Sequence, residues 1–426
     1  MKKIITIAIL FFTVSFHVYP QNINGRISSS VLTFERFESK DISNTYYRTY
    51  QLLNLNVNYD KFSIRTYMNL EDDAQKKLEY DPRLRLYNLY FEGRDIFNIA
   101  TIKLGRQPIF NSITGGSFDG VTLGFKYDEY KLTAYYGGNV PAYQKFEITD
   151  KWKDDYILGA DFATTVLQDF TFGLSYINKH FKPYEYNALR YDDDLNPITV
   201  LIRSKSQQYH IAAAKVIYEL PNTMDIHTKA EYDLNFNLIS KVELGGEYYY
   251  DKKLNFNLYY NYREPMVRYN SIFSVFDYGN TQEIEAGAGY KINNWITVNG
   301  AFGYVNYSDE NSSRLNIGAS TKYGTLSYRK TFGYAGELDA LSLYTAYSFL
   351  NNLITPSVGL SLVKYKVAKD AQSNDLITLL GGVNVRPWRM LSADIQGQYL
   401  KNKIYNNDFR LLLKINYWFN TNLDWM

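Results

Sequence analysis

From about residue 22 to Phe419 the chain repeats one pattern: a stretch of alternating apolar and polar side chains, a turn, and the alternation again. In the last copy Phe409, Leu411, Leu413, Ile415, Tyr417 and Phe419 fall on one side, and Arg410, Lys414, Asn416 and Trp418 on the other. A strand points successive side chains to opposite faces, so each copy predicts a strand with one apolar and one mostly polar face. A soluble sandwich alternates in the same way. The long succession of such strands, their aromatic ends and the lack of any helical period between them favour another solution. The predicted fold is all-β: a transmembrane antiparallel up-and-down barrel, apolar side on lipid and polar side on a water-filled lumen.

Turn chemistry gives the strand count. Asp60-Lys61 separates Leu53/Leu55/Val57/Tyr59 from Phe62/Ile64/Met68/Leu70. Similar tight turns are predicted at Gly93–Ile96, Asp128-Glu129, Thr165–Gln168, Pro221–Thr223, Asp251–Lys253, Asn293-Asn294, Gly324, Asn351-Asn352 and Pro387–Arg389, from their Gly, Asn, Asp and Pro content. Each joins two strands, and one more strand at either end gives about 22, within a range of 16 to 22. At ~10 residues per strand the wall takes ~220 residues, leaving enough chain for turns and loops. Longer connections are predicted at Glu38–Asn44, Glu71–Asp81, Gln107–Ser117, Gly138–Asp154, His180–Ser206, Pro265–Asn280 and Asp309–Ser313. By the usual arrangement these are extracellular and the tight turns periplasmic. Wide barrels need narrowing, and Gly138–Asp154 and His180–Ser206 are the loops expected to fold inward. Their aromatics Tyr143, Phe146, Trp152, Tyr184, Tyr186 and Tyr191 suit sugar stacking, interface anchoring or loop packing.

The start of the chain differs. Met1-Lys2-Lys3 precedes an apolar run from Ile4 to Phe16, which predicts a Sec-type signal over residues 1–20. The barrel then occupies 21–419, and 420–426 forms a short periplasmic tail. There is no cysteine, so neither a lipoprotein anchor nor a disulfide framework is available. Mean hydropathy is −0.35, as alternation rather than long apolar runs requires. Tyrosine reaches 42 residues, fitting aromatic girdles. The formal charge of +2 matches Lys2 and Lys3 in the signal, so the mature chain is near neutral and no nucleic-acid partner is expected.

Catalysis finds no support. His180, His210 and His227 lie on separate segments without metal-ligand spacing, and no metal or cofactor is expected. Asp192-Asp193-Asp194 could take a hard cation, but the accompanying glycine and distal glutamate are missing, so a solvated acidic loop is the expectation. The polar faces carry more. Asp225, His227, Lys229, Glu231 and Asp233 alternate with Met224, Ile226, Ala230, Tyr232 and Leu234. Charges facing lipid are costly, so these faces are luminal. The luminal candidates are Arg65, Lys103, Lys126, Lys131, Asp225, Lys229, Lys241, Glu231, Glu243, Glu247, Glu283 and Glu285. Early inward charges are mainly basic and later ones acid-rich, which predicts a transverse field across the pore. Arg83 and Arg85 join them only if a bulge near Tyr87 shifts their strand by one residue.

The final strand, ending in Tyr417-Trp418-Phe419, resembles the C-terminal assembly signature of Gram-negative outer-membrane porins in the broad sense. One departure is that the chain continues through Asn420–Met426. A looser resemblance to larger porins and polysaccharide-export barrels lies in Lys103-Leu104-Gly105-Arg106-Gln107 and Phe118-Asp119-Gly120-Val121. These resemblances imply an outer-membrane location, outer-membrane lipid and the barrel-assembly machinery as partners, a monomer or homotrimer, and diffusion of small hydrophilic solutes. The alternatives are an export or uptake barrel for a specific substrate, or a closed structural or adhesive barrel. A plugged receptor lacks room for its plug, because strands begin directly after the signal.

Overall fold

The computed structural model describes residues 22–421 except 75–81, 110, 112, 141–145, 151, 183–184, 192–195, 204–206, 266–278, 308–309, 334–336, 367–370 and 404–406. The predicted signal, Asp192–Asp194, Tyr143 and Tyr184 therefore lie outside the described residues.

The wall begins with β1 (Asn22–Phe37), β2 (Ser43–Tyr59), β3 (Phe62–Asp73), β4 (Arg83–Ile96), β5 (Ala100–Pro108), β6 (Ser117–Tyr127), β7 (Tyr130–Asn139), β8 (Tyr156–Thr164) and β9 (Phe170–His180). A two-stranded hairpin, β10 (Glu185–Tyr191) with β11 (Pro197–Arg203), stands apart from it. The wall resumes with β12 (Gln207–Leu220), β13 (Met224–Asp233), β14 (Leu238–Tyr249), β15 (Leu254–Arg263), β16 (Thr281–Lys291), β17 (Ile296–Tyr307) and β18 (Glu310–Thr321). It ends with β19 (Gly324–Gly333), β20 (Leu338–Ala346), β21 (Ile354–Tyr365), β22 (Asn374–Trp388), β23 (Leu391–Asn402) and β24 (Asp408–Thr421). Each strand pairs antiparallel with the next, β9 pairs with β12, and β24 closes on β1, so the sheet is one 22-stranded barrel.

Acidic and amide residues make the tight turns because they tolerate the left-handed backbone. Asp60, Asp128, Asn222 and Asn351 have φ of 46°, 52°, 59° and 55°. Three expected turns shift by a few residues. Gly93 stays in the ladder opposite Ile102, so that turn falls at 97–99. Gly324 opens β19, leaving Lys322-Tyr323 as the turn. Pro387, which has no N–H to donate, sits where the ladder breaks between Val385 and Trp388. At the opposite end, the connection expected at Asp309–Ser313 is short, because Glu310–Ser313 already belong to β18. β24 likewise reaches Thr421, which pairs with Ile23, so the strand takes in the first two residues assigned to the tail.

Register decides which face each side chain takes. From β1 to β24 the exposed large apolar residues share one side, including Ile27, Leu104, Leu158, Leu258, Phe302, Val358 and Ile415. No soluble surface carries an apolar belt of that extent; it is the outer wall of a membrane barrel. The inner face carries most of the wall's Arg, Lys, Asp, Glu, Asn and Ser, with single apolar residues such as Leu380 and Leu412 among them, and at one place it is apolar. Phe118, Tyr135, Ile157, Ile177 and Ile211 point inward and pack with Ile109 into a buried apolar cluster.

Candidate functional site

What covers that cluster is the connection between β5 and β6. Ile109 is nearly buried, and Ile113 packs against the cluster from the same loop. Between them Asn111 donates from Nδ2 to the Tyr135 hydroxyl (3.0 Å) and to Asp161 Oδ1 (3.0 Å). Its Oδ1 accepts from the Ile113 N–H at 2.7 Å. Apolar packing and a charge-assisted hydrogen bond thus hold Ile109, Asn111 and Ile113 against the inner wall of β7 and β8. Among the described residues, this loop reaches into the lumen and narrows it. The sequence pointed by length to Gly138–Asp154 and His180–Ser206, and this shorter connection was not named with them.

The described part of 138–154 goes to the outside instead. Arg106 on β5 and Asp119 on β6 are opposite each other and, by alternation, face lipid. They form a buried bidentate pair, Nε to Oδ1 at 2.7 Å and an Nη to Oδ2 at 2.9 Å. Arg106 also donates to the carbonyls of Leu86 (3.3 Å) and Glu147 (2.6 Å), and the Thr149 N–H donates to Asp119 (2.8 Å). Trp152 then lies edge-on to Tyr136 on the same outer face. Glu147, Thr149 and Trp152 thus form a strap over the outer wall, and it shields two charges that lipid would not solvate.

Below the narrowing loop, toward the tight-turn end, the inner wall forms a recess of about 560 Å³. It is lined by Lys103, Lys126, Lys131 and Lys215, by Glu92 and Asp161, and by the underside of Ile109, Phe118 and Tyr135. Glu92 gathers three bases: Arg65 at 2.9 Å, Lys103 at 3.5 Å and Arg94 at 3.6 Å.

Arg83 and Arg85 reach the same side through the shift that strict alternation lacked. Opposite Tyr67 and Met68 the partners are Asn88 and Leu86, so Tyr87 is the extra residue of a bulge. Both arginines then sit on Glu71, Arg85 at 3.0 Å and Arg83 at 4.0 Å. Glu71 belongs to β3 rather than to a loop, and nothing in its local sequence marked it as their partner.

The later strands carry the acids. Lys229 pairs with Glu231 and Lys241 with Glu243, each at 2.5 Å. Glu283 and Glu285 both engage Arg314, the latter at 2.7 Å. Glu247 accepts from the Tyr249 hydroxyl at 2.9 Å and from Asn255, and Tyr249 also reaches Asp225 at 3.3 Å. Arg314, directly after the connection expected at Asp309–Ser313, was not among the residues named from the sequence. From β19 through β24 to β1 the inner face mixes Ser, Asn, Gln and Gly with scattered charges and leucines, and Asn416 is bonded to Ser28, Ser392 and Asp394. At the end of β24, Tyr417 and Phe419 stack on the outer face at 6.3 Å, while Trp418 turns inward beneath Arg386.

Among the described residues no group of three or more His, Cys, Asp or Glu is placed to hold a metal ion. No family model and no curated protein matches the sequence. Solved structures similar in outline include a translocation pore and outer-membrane proteins. The translocation pore of the P pilus usher PapC aligns with TM-score 0.46 and 8% identity over 95% of this chain and 100% of that chain. OccAB3 of Acinetobacter baumannii aligns with 0.45 and 10% over 94% and 99%. OccK1 of Pseudomonas aeruginosa aligns with 0.44 and 11% over 94% and 99%. At such scores and identities none of their functions carries over, and the barrel is read from its own topology.

Proposed function

We propose that this protein is a diffusion channel for small hydrophilic solutes in the outer membrane of a Gram-negative bacterium. The observation that carries the reading is the closed wall with two chemically opposite faces, apolar outside and charged or amide-rich inside. A polar inner face serves no purpose in a barrel packed solid, whereas it lets hydrated solutes pass along the wall. A barrel of this strand number is too wide to be selective by itself. The inward loop at 109–116 and the charged recess beneath it supply the selection.

Single-channel recording of the refolded chain in a planar bilayer tests this. Steady ohmic steps support it. A barrel that shows the heat-dependent gel mobility of a folded β-barrel yet passes no current would leave a closed structural or adhesive role.

A further inference from the structure

One row on the inner face crosses five neighbouring strands. The register aligns Lys126 of β6, Lys131 of β7, Ala163 of β8, Gly173 of β9 and Lys215 of β12. Lys126 and Lys131 are directly opposite each other, an arrangement of like charges that costs stability unless something compensates it. Elsewhere on this face most bases rest on a carboxylate. For Lys126, Lys131 and Lys215 no ion pair within 4.0 Å occurs among the described residues.

The middle of the row is built to let these amines converge. Ala163 and Gly173 leave the wall bare between them, and Lys215 lies down across it. A Cβ at Gly173 would come within 2.5 Å of Lys215 Cε and 2.7 Å of its Cγ. The lysine stem therefore runs over Gly173 toward β8, and so toward Lys131. In the adjoining row sits Asp161, held by Ser175 (2.6 Å) and Asn111 (3.0 Å). Three ammonium groups against one carboxylate leave two positive charges facing the recess.

We propose that this row binds a phosphate-type dianion, either free or as the phosphoryl group of a small solute. A phosphoryl group carries nearly two negative charges at neutral pH, which matches the surplus. Lysines serve such groups as point charges, and several can share its oxygens. The space beneath Ile109 and Phe118 leaves room for the body of a phosphorylated solute. The role of this site in transport rests on the channel reading; the binding itself does not.

The test is calorimetric titration of inorganic phosphate into the refolded full-length barrel, for the native protein, K126Q/K131Q and G173V. Folding of each is confirmed by heat-modifiable gel mobility. Saturable binding is expected, weakened at least tenfold in K126Q/K131Q. G173V removes no charge but displaces Lys215, and should also weaken it several-fold. Glucose 6-phosphate competing for the site extends it to phosphorylated solutes; no competition confines it to free phosphate. Absence of saturable binding, or native affinity in either variant, overturns the proposal. Phosphate binding by a barrel that passes no current would sink the channel reading and leave the site standing.

Discussion

Arg106 and Asp119 stand where alternation aims a side chain at lipid, and their solution is mutual pairing under a strap. Removing one partner leaves the other charge buried alone, a change that costs about 3–5 kcal/mol, whereas replacing both with apolar groups costs far less. D119A should therefore unfold at clearly lower urea concentration than native protein, and R106M/D119L should recover most of the loss. Equilibrium urea titration followed by gel mobility checks both. Both residues lie in the stretch that resembles larger porins, yet their pairing was not legible, because alternation does not fix the register of β5 against β6 across the loop between them. Legible instead was the inward face of Lys103 and Lys131, where period two alone decides. A pore with basic early strands and acidic later ones should change ion preference when that wall is reversed. K103E/K131E is expected to shift the reversal potential across a salt gradient toward cation selectivity; an unchanged potential would refute the transverse field.

At the scale of elements, strands and tight turns were readable because alternation and Asn/Asp turn chemistry agree along most of the wall. The inward loop was not readable, since what draws it in is a cluster assembled from five separate strands. Asn111 is its latch. N111A should release 109–116 and give larger or noisier single-channel steps, while leaving the wall folded. The bulge in β4 makes a complementary prediction. Deleting Tyr87 removes only the residue the ladder skips, so Leu86 and Asn88 keep their partners Met68 and Tyr67 and Arg83 and Arg85 stay inward on Glu71. The folded fraction after refolding into lipid should therefore be kept, as read by heat-modifiable mobility; a sharp fall would refute the bulge.

Across the whole molecule, every pairing but one joins strands that follow each other along the wall, the β10–β11 hairpin being bypassed. The exception is β1 with β24, sealed on the inside by the buried Asn416 between Ser28 and Ser392. Such a topology makes folding a matter of timing. The hairpins are local and quick, whereas bringing together two ends some 390 residues apart in a flexible chain costs about 5 kcal/mol in loop entropy. The ring is best closed last, once the curling sheet has already brought its two edges near each other. Until then both edges offer unpaired backbone to any other strand. The seam, and not the wall, is thus where the chain chooses between one closed molecule and an open sheet that recruits a neighbour.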